Sequence, residues 1–238
     1  MNRAGPNGSR TVLIEDHALF AESLEIAMSI EGYDVRRLPV PTSASGSAQL
    51  LGSIARLRPR IVLLDLDLGS FGDGASLINP IARMGANVVV VTASLERARW
   101  GECIRYGARK TLSKAQPLQE ILAVVRRINH GLPVMDVQER EELLALWHHE
   151  RQERQERRRR IEELTARERE VLGHLMAGRP VRDIARLSVV SEATVRTQVK
   201  SILAKLQVSS QLAAVGMAFS LEWQPPTDLR ASAGRSTS

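Results

Sequence analysis

IVLLDLDL, residues 61–68, is a nearly continuous apolar run that ends in acidic residues. A strand covered on both faces reads this way, whereas a strand with one wet face alternates. NVVVVTA, residues 87–93, has the same character. Working outward, TVLI (11–14), DVRRL (34–38) and ARKTL (108–112) are further short apolar or β-branched runs. Helical patterns lie between them, at about 17–31, 46–57, 74–84, 95–106 and 117–130. Strands alternating with helices in this way predict a parallel, doubly wound α/β sheet over residues 10–130.

Ligands of such sheets bind at the carboxyl ends of the strands, near the switch in strand order. That rim collects Glu15 and Asp16 after the first strand, Asp65 after the third, Thr92 at the end of the fourth and Lys114 after the fifth. Three converging carboxylates repel one another unless a cation sits among them. Oxygen-only ligands favour a hard ion, and Mg²⁺ suits them best. A carboxylate beside Mg²⁺, a hydroxyl and an ammonium is equipped to accept a phosphoryl group, whose oxygens the cations and the hydroxyl would stabilise.

VLIEDHALF (12–20), VLLDLDL (62–68), VVTAS (90–94) and LSK (112–114) together resemble the receiver domain of two-component response regulators. The resemblance implies a flavodoxin-like sheet of order 2-1-3-4-5 with Asp65 as phosphoacceptor. It further implies Glu15, Asp16, Asp65 and the backbone carbonyl of Asp67 as Mg²⁺ ligands, Thr92 as the switch hydroxyl and Lys114 as the phosphate-pairing lysine. The chain departs from the family pattern in four places. Glu15 stands where Asp is usual, Gly69 stands where Pro is frequent, and one extra residue precedes Asp73 and Gly74. Thr111 replaces the aromatic residue that couples the threonine switch to the output face. His17, next to the acidic pair, reads as a helix-start residue, with a metal role as the alternative.

The other informative stretch is LTAREREVLGHLMAGRPVRDIARLSVVSEATVRTQVKSILAKLQV, residues 164–208. Thr165 and Glu168 form a capping-box pattern that starts one helix, and Gly178 follows its end. Ser191 is an N-cap for a basic helix in which Val195, Val199, Ile202 and Leu206 recur at steps of three or four. Leu164, Val171, Leu172, Leu175, Ile184 and Ala185 would form the supporting core. The pattern LTxRExEVL, the later IA, SEATV and KxxILxKL resemble the DNA-binding domain of the LuxR/NarL family, a small all-α helix-turn-helix domain expected over 161–225. Arg196, Thr197 and Lys200 lie off the apolar stripe and are the expected base-edge contacts in the major groove. Arg182, Thr194 and Lys205 are the expected phosphate contacts. Gln198 and Gln207 stand where the family often has His and Gly. SSQLAAVGMAF (209–219) resembles the family's dimer-forming helix, with Leu212, Val215 and Met217 as apolar candidates; closing the core is the alternative role.

Residues 131–160 join the two domains. Within them, 136–160 is dense in Glu and Arg without Gly or Pro, and predicts a long exposed helix laced by ion pairs. It reads as a solvated spacer, or as a dimer helix, since Leu143, Leu146 and Trp147 share a face. Residues 1–9 and 226–238 have the composition of loose tails. The 238 residues suffice for two domains, and an aromatic content of 3% calls for aliphatic cores. The net charge of +6 hints at anionic partners, but 161–225 is close to charge-balanced, so DNA binding would rest on local placement of Arg and Lys. Cys103 stands alone, which excludes an internal disulfide and a structural zinc site. No apolar run approaches a membrane span and the N-terminus lacks a signal peptide's apolar core, so a cytoplasmic protein without a membrane partner is expected.

The expected function is a DNA-binding transcription regulator, not an enzyme. It would act as a homodimer on double-stranded DNA, with a sensor histidine kinase phosphorylating Asp65. The alternative is a phosphorylation-independent regulator whose receiver-like domain serves dimerisation or docking.

Overall fold

A computed structural model describes residues 10–226. The chain divides into two compact units at the His149/Glu150 boundary. The expected loose tails, 1–9 and all but the first residue of 226–238, lie outside the described residues.

The first unit alternates β1 (Arg10–Ile14), α1 (Ala18–Ile30), β2 (Asp34–Arg37), α2 (Ser47–Leu57), β3 (Ile61–Leu64), α3 (Ala75–Arg83), β4 (Asn87–Thr92), α4 (Arg97–Tyr106), β5 (Lys110–Ser113) and α5 (Leu118–Asn129). The strands are parallel in the order β2-β1-β3-β4-β5. Successive side chains of β3 and β4 enter opposite layers. Val62, Leu64, Val88 and Val90 pack with α2, α3 and α4, while Ile61, Leu63, Val89 and Val91 pack with α1 and α5. All four residues of β3 are buried, which is why its sequence does not alternate. Each such aliphatic side chain contributes about 1.5–3 kcal/mol by leaving water.

Residues 131–149 group with this unit. Val134 packs with one core layer and Met135 with the other, so the chain crosses the β5 edge of the sheet. Helix α6 (Val137–Glu162) starts there. Leu143 and Trp147 are only 1% and 9% exposed, whereas Leu146 is 41% exposed. The face expected of a spacer or a dimer helix is therefore partly buried against the chain's own receiver core. The cause is Gly101, whose missing side chain lets the α6 backbone settle onto α4.

The second unit contains the end of α6, then α7 (Ala166–Met176), α8 (Val181–Leu187), α9 (Glu192–Leu206) and α10 (Gln211–Ser220). Ile161, Leu164, Val171, Leu172, Ile184, Val195, Val199, Ile202 and Leu206 share one core with Ala214 and Ala218. Thr165 and Glu168 form a complete capping box at α7. Ser191 caps α9 by accepting the Thr194 N–H at 3.1 Å. Gln207 ends α9 in the left-handed conformation, at φ 55°, and so performs the turn for which a glycine is the easier residue.

Candidate functional sites

The Asp65 backbone N–H donates to the Ile14 carbonyl at 3.0 Å, which sets Asp65 beside Glu15. The Glu15 and Asp65 side chains are each 1% exposed, and the Lys114 ammonium bridges them. Lys114 Nζ is 2.7 Å from Glu15 Oε1 and 2.7 Å from Asp65 Oδ2. Burial works to lower the Lys114 pKa, but hydrogen bonds to Asp65 and Glu15 outweigh it and hold the ammonium above its ordinary value. Burial also raises Glu15, against the pull of Lys114 and the His17 N–H. Two buried carboxylates thus share one cation.

Asp16 completes the acidic group. One potential ligand atom from each of Glu15, Asp16, His17 and Asp65 lies within 4.8 Å of the others. His17 begins α1 as expected, but its ring also joins the cluster. Its Nδ1 lies 3.0 Å from Asp16 Oδ1 and 3.2 Å from Glu15 Oε1. The carboxylate oxygens outnumber the one ammonium, a donor set that fits a hard divalent cation. Asp67 lies in the same loop, its N–H donating to Asp65 Oδ1 at 3.2 Å. Gly69 in that loop has φ +57°, a conformation closed to the proline frequent at this position, and its Cα side faces Asp16.

Thr92 ends β4 next to Ser113, and its carbonyl accepts the Lys114 N–H at 2.8 Å. Its Oγ1 accepts the Ser94 N–H at 3.1 Å. Thr111 is buried, with no hydrogen-bond partner for its hydroxyl among the described residues. A residue not foreseen from sequence is Arg99, whose guanidinium lies 3.0 Å from Asp73 Oδ1 and ties α4 to the loop after Asp65. No local pattern reveals a pair that only the packing of α4 on α3 creates.

In the second unit, Arg196, Thr197 and Lys200 stand together on the exposed side of α9, opposite Val195, Val199 and Ile202. Arg196 is held loosely by Glu192 at 3.4 Å, and Thr197 Oγ1 donates to the Ala193 carbonyl at 3.0 Å. Arg182 is exposed on α8 with Asp183 at 3.8 Å, and Thr194 Oγ1 lies 2.8 Å from the Ser191 hydroxyl. Lys205 is placed differently from the rest. Its ammonium is 2.6 Å from Glu168 Oε2, inside the α7 capping box. Ser201 Oγ donates to the other Glu168 oxygen at 2.6 Å. Burial tends to raise the Glu168 pKa, but hydrogen bonds from Lys205, Ser201 and Thr165 override it and hold the carboxyl down at about 2. On α10, Leu212 is 82% and Phe219 60% exposed, whereas Met217 packs against the core. Phe219 was legible as the residue seven after Leu212, on the same helix face.

No single described helix is long and apolar enough to cross a membrane. Residues 11–126 match the family model of the response regulator receiver domain, and residues 162–218 match that of the bacterial regulatory proteins of the luxR family. The chain is 29% identical over 230 residues to the probable transcriptional regulatory protein NarL of Mycobacterium tuberculosis, covering 92% of this chain and 97% of that one. It is 26% identical to the transcriptional regulatory protein LiaR of Bacillus subtilis, covering 85% and 92% of the two chains. It is 25% identical to the nitrate/nitrite response regulator protein NarP of Escherichia coli, covering 86% and 92%. With a receiver fold carrying an acidic pocket and a luxR-type helical unit in one chain, the protein belongs to the two-component response regulators of the LuxR family, which are transcription regulators and not enzymes.

Proposed function

We propose that Asp65 is phosphorylated by a sensor histidine kinase and that this controls dimerisation or DNA binding by the helical unit, in the cytoplasm. The observation that carries the reading is the Lys114 ammonium 2.7 Å from both Asp65 and Glu15. An Asp65 carboxylate oxygen attacks the phosphorus of a phosphohistidine. The new P–O bond forms as the P–N bond breaks, and the departing imidazole nitrogen keeps the electron pair and takes a proton from solvent. Lys114 pairs with a phosphoryl oxygen as negative charge moves outward, and the Thr92 hydroxyl donates to another. Glu15, Asp16, Asp65 and the Asp67 carbonyl would hold Mg²⁺, which supplies charge neutralisation at the phosphoryl oxygens.

On double-stranded DNA, Arg196, Thr197 and Lys200 read base edges, while Arg182 and Thr194 contact phosphates. Lys205 is assigned to the fold instead, because Glu168 already engages it. Two copies joining through the exposed Leu212 and Phe219 face of α10 would present two such helices to a two-fold site.

Intact-protein mass spectrometry after incubation with acetyl phosphate and Mg²⁺, alongside Asp65→Ala, tests the first step. One phosphoryl adduct, lost in the variant, supports it. No adduct, together with dimerisation and DNA binding that need no phosphodonor, replaces it with a phosphorylation-independent regulator, the reading that Thr111 favours.

A further inference from the structure

We propose that the last turns of α6 are a second DNA-contact surface of the helical unit, in which Arg154 and Arg158 pair with backbone phosphates flanking the bases that face α9. This rests on the proposed seating of α9 on double-stranded DNA.

The distribution of charge points to that surface. Residues 161–225 carry eight Lys and Arg against seven Asp and Glu, so the helices beyond α6 offer a polyanion almost no net attraction. Residues 150–160 carry six Arg against three Glu, and they group with the helical unit. Most of the unit's excess positive charge therefore sits on the last turns of α6.

Four of the six arginines are already engaged. Glu153 holds Arg157, and Glu156 takes both Arg159 and Arg160, with Glu163 also on Arg159. Arg151 has a partner as well. Those contacts lace the helix to itself, as on any solvated helix. Arg154 and Arg158 remain. Both are exposed, and neither has an ion-pair partner among the described residues. Four positions apart, they share one face of the helix. Arg158 edges a cleft lined by Ile161, Leu221 and Trp223; Glu162 and Glu222 also line it, without reaching ion-pair distance of the guanidinium.

This end of α6 is fixed to α9. Ile161 and Leu164 share one core with Val199, Ile202 and Leu206, and the Glu163 carbonyl accepts from Lys205 Nζ at 3.4 Å. A rise of about 1.5 Å per residue sets Arg158 and Arg154 about 8 and 14 Å back along α6 from Glu163. That reach is well short of one duplex turn, about 34 Å, so it falls on phosphates adjoining the site. The separation of about 6 Å between the two arginines matches two steps of one strand, which rises about 3.4 Å per phosphate.

The experiment is fluorescence anisotropy over a salt series, with the full chain, acetyl phosphate and constant Mg²⁺. The probe is a duplex that the wild-type chain selects from a random-sequence pool, either trimmed to the selected bases or extended by about 10 bp, one helical turn, at each end. On the extended duplex, Arg154→Gln with Arg158→Gln should lower the salt slope by about two per chain, roughly 0.9 for each lost phosphate contact. On the trimmed duplex the variant and the wild type should have the same slope. Gln is a good helix former, so α6 is kept. Arg154→Lys with Arg158→Lys keeps the charge and should keep the slope, which a role in packing alone does not predict. Equal slopes for the wild-type and Gln chains on the extended duplex overturn the inference and leave the α9 contact standing. A slope lowered as much on the trimmed duplex also overturns it, since the arginines then do not act on the flank. Failure of the wild-type chain to select any duplex removes the parent reading and this inference together.

Discussion

Lys205 Nζ lies 2.6 Å from Glu168 Oε2, so a residue on the basic helix closes the capping box of the helix beneath it. The same carboxylate takes the Thr165 N–H at 2.7 Å and the Ser201 hydroxyl at 2.6 Å. One buried anion therefore ties two residues of α9 to the start of α7.

The pH dependence of the helical unit follows from that anion. Glu168 is held at about 2, below the ordinary carboxylate value. A depressed carboxylate contributes stability that is present above its unfolded pKa and lost as pH falls through the folded one. Thermal or urea unfolding should show that contribution complete above about pH 5 and fading toward pH 2. Glu168→Gln should cost on the order of 2–3 kcal/mol at pH 7 and nearly nothing near pH 2. An equal cost at both pH values would show that shape, not charge, is what Glu168 supplies.

Val189 joins α8 to α9 at φ 55°, with its side chain exposed. A β-branched residue is strained in the left-handed region, and the side chain has little packing to lose. Val189→Gly should raise the stability of the helical unit by about 1 kcal/mol, after glycine's greater unfolded-state freedom is set against the relieved strain. Denaturant midpoints of the two proteins measure it, and a lower midpoint for the glycine variant would contradict it.

Lys114→Gln keeps a hydrogen-bond donor between Glu15 and Asp65 but removes the charge. Two buried carboxylates then face each other without the bridging ammonium. Phosphorylation by acetyl phosphate should slow by about 10²-fold or more, the cost of losing one well-placed charge at a developing anion. The time course of the mass adduct measures it, and a wild-type rate would remove Lys114 from the chemistry.

Arg196→Ala and Lys200→Ala should each weaken binding to a specific DNA site by about 1–3 kcal/mol with the fold intact. Arg182→Ala should instead weaken all sequences alike and reduce the salt slope by about one. Fluorescence anisotropy over a salt series separates the two classes. Equal losses on specific and random DNA for Arg196→Ala would reassign it to the backbone-contacting set.

Much of this was local enough to be read from the chain. Continuous apolar runs marked β3 and β4 because burial on both faces removes alternation. Acidic residues following β1 and β3 marked the pocket, since parallel strands bring their carboxyl ends to one rim. The capping box at Thr165 and Glu168 and the N-cap at Ser191 were legible because a cap is satisfied within three residues.

The remainder depended on partners far away in sequence. Leu143, Leu146 and Trp147 share a helical stripe in any reading. Which of them is buried was decided by Gly101, 42 positions before Leu143, because the absence of one Cβ admits a backbone carbonyl. Lys205 looks like any exposed basic residue until Glu168, 37 positions away, is folded against it. Local pattern determined the elements, their caps and the chemistry at the strand ends, since those depend on neighbours along the chain. Only the tertiary structure decided which charges are already partnered and which helix face is already covered, since burial and pairing are properties of contacts between distant segments.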